Sequence, residues 1–101
     1  MLRSSGPALD AEEIAIRALS FIAADSAILA RFLDLTGWSP QTIADPNARY
    51  AILVAAVDYL MREEDLLLTF AASIGARPED VSAAYRTLSD EKGGTGQAGS
   101  Q

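Results

Sequence analysis

The chain has no cysteine and no histidine among its 101 residues. Without cysteine there is no disulfide and no thiol nucleophile, and the redox compartment is unmarked. Without histidine the commonest general base and the commonest metal ligand are missing. Ser-His-Asp and Cys-His arrangements are therefore excluded. Positive charge is also scarce. Eight Lys and Arg against fourteen Asp and Glu leave a net charge of −6 and a pI near 4.4. Nucleic acid and anionic lipid surfaces attract clustered Lys and Arg, whereas Arg3, Arg17, Arg31, Arg49, Arg62, Arg77, Arg86 and Lys92 stand singly. Long apolar runs are missing too. The longest, Ala51 to Val57, stops at Asp58, far short of the roughly 20 residues a membrane span needs. Residues 1–13 lack an apolar h-region and turn acidic at Asp10, so no secretory signal is predicted. The expectation is a cytoplasmic protein.

Half of the residues are apolar, many of them alanine, and β-branched runs and alternating patterns are nearly absent. That composition predicts helices that approach closely and no strands. Residues 1–8, with Ser4-Ser5-Gly6-Pro7, read as a flexible leader, and the Gly-rich stretch 91–101 as a disordered tail. One helical domain over 9–90 remains.

Punctuation divides that domain. Asp10 caps the first helix, with Glu13 placed to reach back in a capping box and Leu9 set to staple onto Ile14. Asp25 breaks the first helix and caps the second, which Gly37 closes. Ser39-Pro40 starts a short third helix, as N-cap and first helical residue. Asp45-Pro46 ends it and opens the fourth. The acids Glu63-Glu64-Asp65 suit the positive end of a fifth helix, whose run Leu66-Leu67-Leu68 suggests burial on most sides. Gly75 closes it, and Pro78 opens the sixth, with Arg77 a weak cap.

The phrase Gly37-Trp38-Ser39-Pro40 returns 38 residues later as Gly75-Ala76-Arg77-Pro78. Aligning 14–43 with 52–81 pairs Ile14 with Ile52, Phe21 with Tyr59, Leu29 with Leu67 and Phe32 with Phe70; six of thirty positions are identical. Gly-x-x-Pro in register with an upstream Phe points to an internal repeat. The expected fold is an all-α compact bundle of five to six short helices in two pseudo-repeated halves. Its core should comprise Ile14, Leu19, Ile22, Leu29, Phe32, Ile43, Ile52, Val57, Leu60, Leu67, Phe70 and Val81.

No residue set carries recognisable chemistry. Glu63-Glu64-Asp65 lacks the alternating oxygen ligands of a calcium loop. Asp58 lies between Val57 and Tyr59 on an apolar helix, and an outward-facing position fits it better than a general acid. Gly93-Gly94-Thr95-Gly96 has no strand before it, so it is no phosphate loop. A helix-turn-helix spacing is present at Leu33…Gly37…Ile43 and Ala71…Gly75…Val81. The first candidate recognition helix offers Gln41, Thr42 and Asp45 and the second Glu79, Asp80 and Arg86, and neither set is cationic as a whole. Trp38, just past a helix-ending glycine, is either a binding anchor or an apolar contact folded over the preceding helix. Trp38 and Leu68 are the candidate partner contacts; no catalytic, cofactor or metal residue is expected.

The stretch Ala8 to Asp25, Arg31-Phe32-Leu33 with Gly37, and Leu66-Leu67-Leu68-Thr69-Phe70-Ala71 resemble a family of short alphaproteobacterial proteins classed as domain of unknown function 3572. The resemblance covers nearly all of Leu9 to Leu88. It implies a compact bacterial protein and supplies no activity or site. The leading expectation is a non-catalytic module that binds a protein partner or itself. A helix-turn-helix DNA-binding regulator and a carboxylate-only enzyme are the alternatives.

Overall fold

A computed structural model describes residues 10–100, with side chains described for 10–90. The expected leader, residues 1–8, lies outside the described residues. Six α-helices follow in order: α1 Ala11–Ala23, α2 Ser26–Thr36, α3 Pro40–Ala44, α4 Arg49–Arg62, α5 Glu64–Ser73 and α6 Pro78–Ser100. No strand occurs among the described residues, and the fold is an all-α bundle. α1 packs along α4, and α6 lies against both, while α2 folds back on α1 and α5 on α4.

The helix boundaries follow from local chemistry. Asp10 Oδ1 accepts from the Glu13 amide at 2.8 Å. The Glu13 carboxylate does not complete the box; it pairs with Arg17 at 3.1 Å. Asp25 accepts from the amides of Ala27 and Ile28 at 2.9 and 3.2 Å, relieving two orphan donors of α2. Ser39 caps α3. Pro46 opens a 3-10 turn, Pro46–Ala48, before α4 begins at Arg49. The fourth helix therefore starts later than its proline suggests, because Asp45 Oδ1 accepts from the Asn47 amide at 3.0 Å and tightens the turn. At α6 the weak cap Arg77 is compensated from inside the helix: Asp80 Oδ2 accepts from the Arg77 amide at 2.9 Å.

Gly37 and Gly75 both hold left-handed φ, +76° and +70°, the conformation glycine adopts without steric cost. Their hydrogen bonds differ. The Gly37 amide donates to Leu33 O at 2.8 Å, the single-bond left-handed cap. The Gly75 amide donates to Ala72 O at 3.2 Å and the Ala76 amide to Ala71 O at 2.9 Å, which makes a Schellman motif.

The core is formed by Ile14, Ala18 and Ile22 of α1, Phe32 of α2, Leu53, Ala56, Val57 and Leu60 of α4, Phe70 of α5, and Val81, Ala84 and Leu88 of α6. Leu19, Leu29, Ile43 and Leu67, expected in the core, are half-buried and pack against its edge. The expectation that α5 is buried on most sides fails. Only Phe70 and Ala71 are buried there, and Leu68 is 49% exposed. α4 is the enclosed helix instead, with six buried residues, because α1, α5 and α6 all pack against it. The α6 backbone runs to Ser100, and the side chains of the expected tail, 91–101, lie outside the described residues.

Candidate functional site

Trp38 is half-buried and folds back onto α2. Its ring meets Phe32 edge-on, with centroids 6.1 Å apart and planes at 75°. Thr36 sets this path. Its hydroxyl bonds to Phe32 O at 3.0 Å and accepts from the Trp38 amide at 3.2 Å. That amide is the donor which, in the second glycine turn, goes to the helix carbonyl through Ala76. The position equivalent to Thr36 is Ile74, which has no hydroxyl. A Thr-for-Ile difference thus lets the tryptophan leave the turn and lie over the helix as its apolar lid.

Leu68 stands on the outer side of α5 at 49% exposure, with Leu35 of α2 at 60% and Ile16 of α1 at 38%. Leu35 and Ile16 were visible in the sequence only as an excess of apolar positions. Nothing local marked which of them would point outward.

Two open clefts flank the core. The smaller, about 180 Å³, is lined by Leu19, Ile43, Asp45, Pro46, Arg49 and Ile52. The larger, about 310 Å³, lies between Asp10, Glu12, Tyr50, Leu53, Thr87 and Leu88. Tyr50 closes one side through a hydrogen bond from its hydroxyl to Leu88 O. The acids at both clefts have local work: Asp10 caps α1 and Asp45 caps the 3-10 turn. No group of three or more acidic side chains that could hold a metal occurs among the described residues.

The other acids singled out in the sequence are also engaged. Asp58 pairs with Arg62 at 2.9 Å. Glu63 pairs with Arg31 at 3.3 Å across α2 and α5. Such exposed pairs contribute at most about 1 kcal/mol. Between that pair and the core sits Tyr59, 4% exposed, whose buried hydroxyl lacks a well-formed hydrogen bond. Burial raises its pKa and the Glu63 carboxylate adds to the rise, while the Arg31 guanidinium opposes it. Tyr59 is thus a phenol held neutral at the edge of the core beside the Arg31–Glu63 pair.

These features define a small all-α domain with a closed aromatic core and isolated aliphatic side chains on its outer helices. The chain belongs to the family described as Protein of unknown function (DUF3572), whose model matches residues 8–91. No curated protein and no solved structure matches it.

Proposed function

We propose that this domain is a non-catalytic interaction module that pairs with another protein chain, in the first place a second copy of itself, in an alphaproteobacterial cytoplasm. The observation that carries the reading is the exposure of Leu35 and Leu68, 60% and 49%. Both are large aliphatic residues on helices whose inner faces are already occupied by Phe32 and Phe70. Burying a leucine on association contributes about 1.5–3 kcal/mol, and neither residue is needed to complete the core. The cytoplasmic assignment draws support from the fact that no helix among the described residues is long and apolar enough to cross a membrane. We further read the two glycine-proline turns and their flanking helices as two copies of one unit.

A DNA-binding role has less support. The first candidate recognition helix, α3, has five residues, a length of about 7.5 Å. The second, α6, exposes Glu79, Ala83, Arg86 and Asp90, a mixed-sign surface that does not favour phosphate. Light scattering of the wild type and of Leu35→Asp and Leu68→Asp tests the reading. A concentration-dependent increase in mass that either substitution abolishes supports it. A strictly monomeric wild type that also leaves both leucines freely accessible to solvent probes in cell extract overturns it.

A further inference from the structure

Two edge-to-face ring contacts join the two halves of the chain. Phe21 of α1 meets Phe70 of α5 with centroids 5.5 Å apart and planes at 61°. Phe32 of α2 meets Tyr59 of α4 with centroids 5.5 Å apart and planes at 62°. The 38-residue shift carries Phe21 to Tyr59 and Phe32 to Phe70. The two contacts are therefore the same contact with the halves exchanged. The first position of one half touches the second position of the other, in both directions. That reciprocity defines a two-fold, isologous interface; repeats related by translation along the chain do not produce it. The helix starts obey the same shift: Ala11 to Arg49, Ser26 to Glu64, Pro40 to Pro78.

We propose that residues 11–44 and 49–82 are related by a pseudo-two-fold axis at the α1–α4 contact, and that the face between them is a self-association surface whose other partner is a second copy of this chain, reached by exchange of halves. This face is distinct from the exposed Leu35 and Leu68 that carry the reading above, so the two stand or fall separately. The core is then an interface that the connection between α3 and α4 happens to close within one chain.

One dipeptide controls that closure. Asp45 takes extended backbone, φ −78° and ψ 115°, as a residue before proline prefers. Pro46 has no amide to continue the α3 ladder. The equivalent positions in the second half are Ala83 and Ala84, and there the helix runs on without a break. With Asp45 and Pro46 made alanine, nothing in the local sequence separates α3 from α4. A single helix from Pro40 to Arg62 carries α4 away from α1, and the inter-half face can be satisfied only by another chain.

The test compares two full-length variants by light scattering at high protein concentration. The rigid variant is Asp45→Ala with Pro46→Ala; the flexible variant carries a long Gly-Ser insert between Ala44 and Asp45. The expected result is a helical rigid variant of twice the mass of the flexible one, which closes on itself because lengthening a flexible loop costs little. Equal masses overturn the proposal. Loss of helicity in the rigid variant at high concentration overturns it as well, since opened chains must re-pair. A monomeric wild type counts against the function proposed above and leaves this comparison intact.

Discussion

Asp80 and Arg77 hold each other twice at the start of α6. The carboxylate accepts from the Arg77 backbone amide at 2.9 Å and from its guanidinium at 3.2 Å. The backbone bond, then the guanidinium, keep the Asp80 carboxyl below the usual carboxylate range. A depressed carboxyl contributes stability that is present above its ordinary value and lost as pH falls through the folded value. Asp80→Ala should lower the melting temperature at neutral pH. The gap from wild type should hold steady down to about pH 4 and shrink below it. A gap independent of pH by thermal melts would show that the carboxylate does not supply the cap.

Tyr59 makes the opposite prediction. Its buried hydroxyl makes no hydrogen bond of good geometry, with the Arg31 guanidinium beside it as a poor partner, and a fully unsatisfied buried group would cost about 1–3 kcal/mol. Tyr59→Phe, which copies Phe21 at the equivalent position, should leave stability unchanged or raise it. The raised pKa adds a second readout. The unfolded chain releases the proton near pH 10 while the folded chain retains it, so this contribution is complete below about pH 10 and declines above it. Urea melts between neutral and strongly alkaline pH should show that decline in the wild type and a smaller one in Tyr59→Phe.

The two ring contacts should be energetically alike. Double-mutant cycles to leucine on Phe21 with Phe70, and on Phe32 with Tyr59, should each return about 0.5–1.5 kcal/mol of coupling. The two values should agree to within about 0.5 kcal/mol. Truncating either fully buried ring, Phe32→Ala or Phe70→Ala, should cost about 3–5 kcal/mol. That is a large part of the 5–15 kcal/mol that typically holds a domain together.

At Gly37 and Gly75 the cost of a side chain should be conformational alone. A Cβ built at either position meets nothing within 4 Å, yet φ is +76° and +70°. Gly37→Ala and Gly75→Ala should each destabilise by about 1–2 kcal/mol, while asparagine, which tolerates the left-handed region, should cost less. Equal losses for alanine and asparagine by denaturant melts would contradict this account.

Signals that act within one turn were legible in the sequence. Asp25, Ser39, Gly37 and Gly75 each satisfy backbone groups within a few residues, so their identities were enough to place helix ends. Signals that depend on distant partners were not. Leu66-Leu67-Leu68 announced an apolar helix, but which of its faces is covered depends on how α4 and α6 pack against it. Competition within a turn also escaped the sequence: Arg17 takes the Glu13 carboxylate from the box, and Asp80 supplies a cap that Arg77 alone would not make. For the candidate site, Trp38 presented two orientations, of which folding back over the helix was the favoured one, and the Thr36 hydroxyl holds the Trp38 amide in that path. Leu68 stood out within its leucine run and against Ala30, its partner under the 38-residue shift. The reciprocal ring contacts needed the three-dimensional crossing of α1 and α4 before the repeat could be read as a rotation.

The enclosure of α4 has a consequence for synthesis. The N-terminal half is made first, and it carries Phe21, Ile22 and Phe32 with nothing to cover them. Tyr59 must emerge before Phe32 is sealed, and Phe70 before Phe21 is. Val81, Ala84 and Leu88, which complete the core from α6, come last of all. Until α4, α5 and α6 are available, the N-terminal half therefore has no complete core in which to bury these side chains.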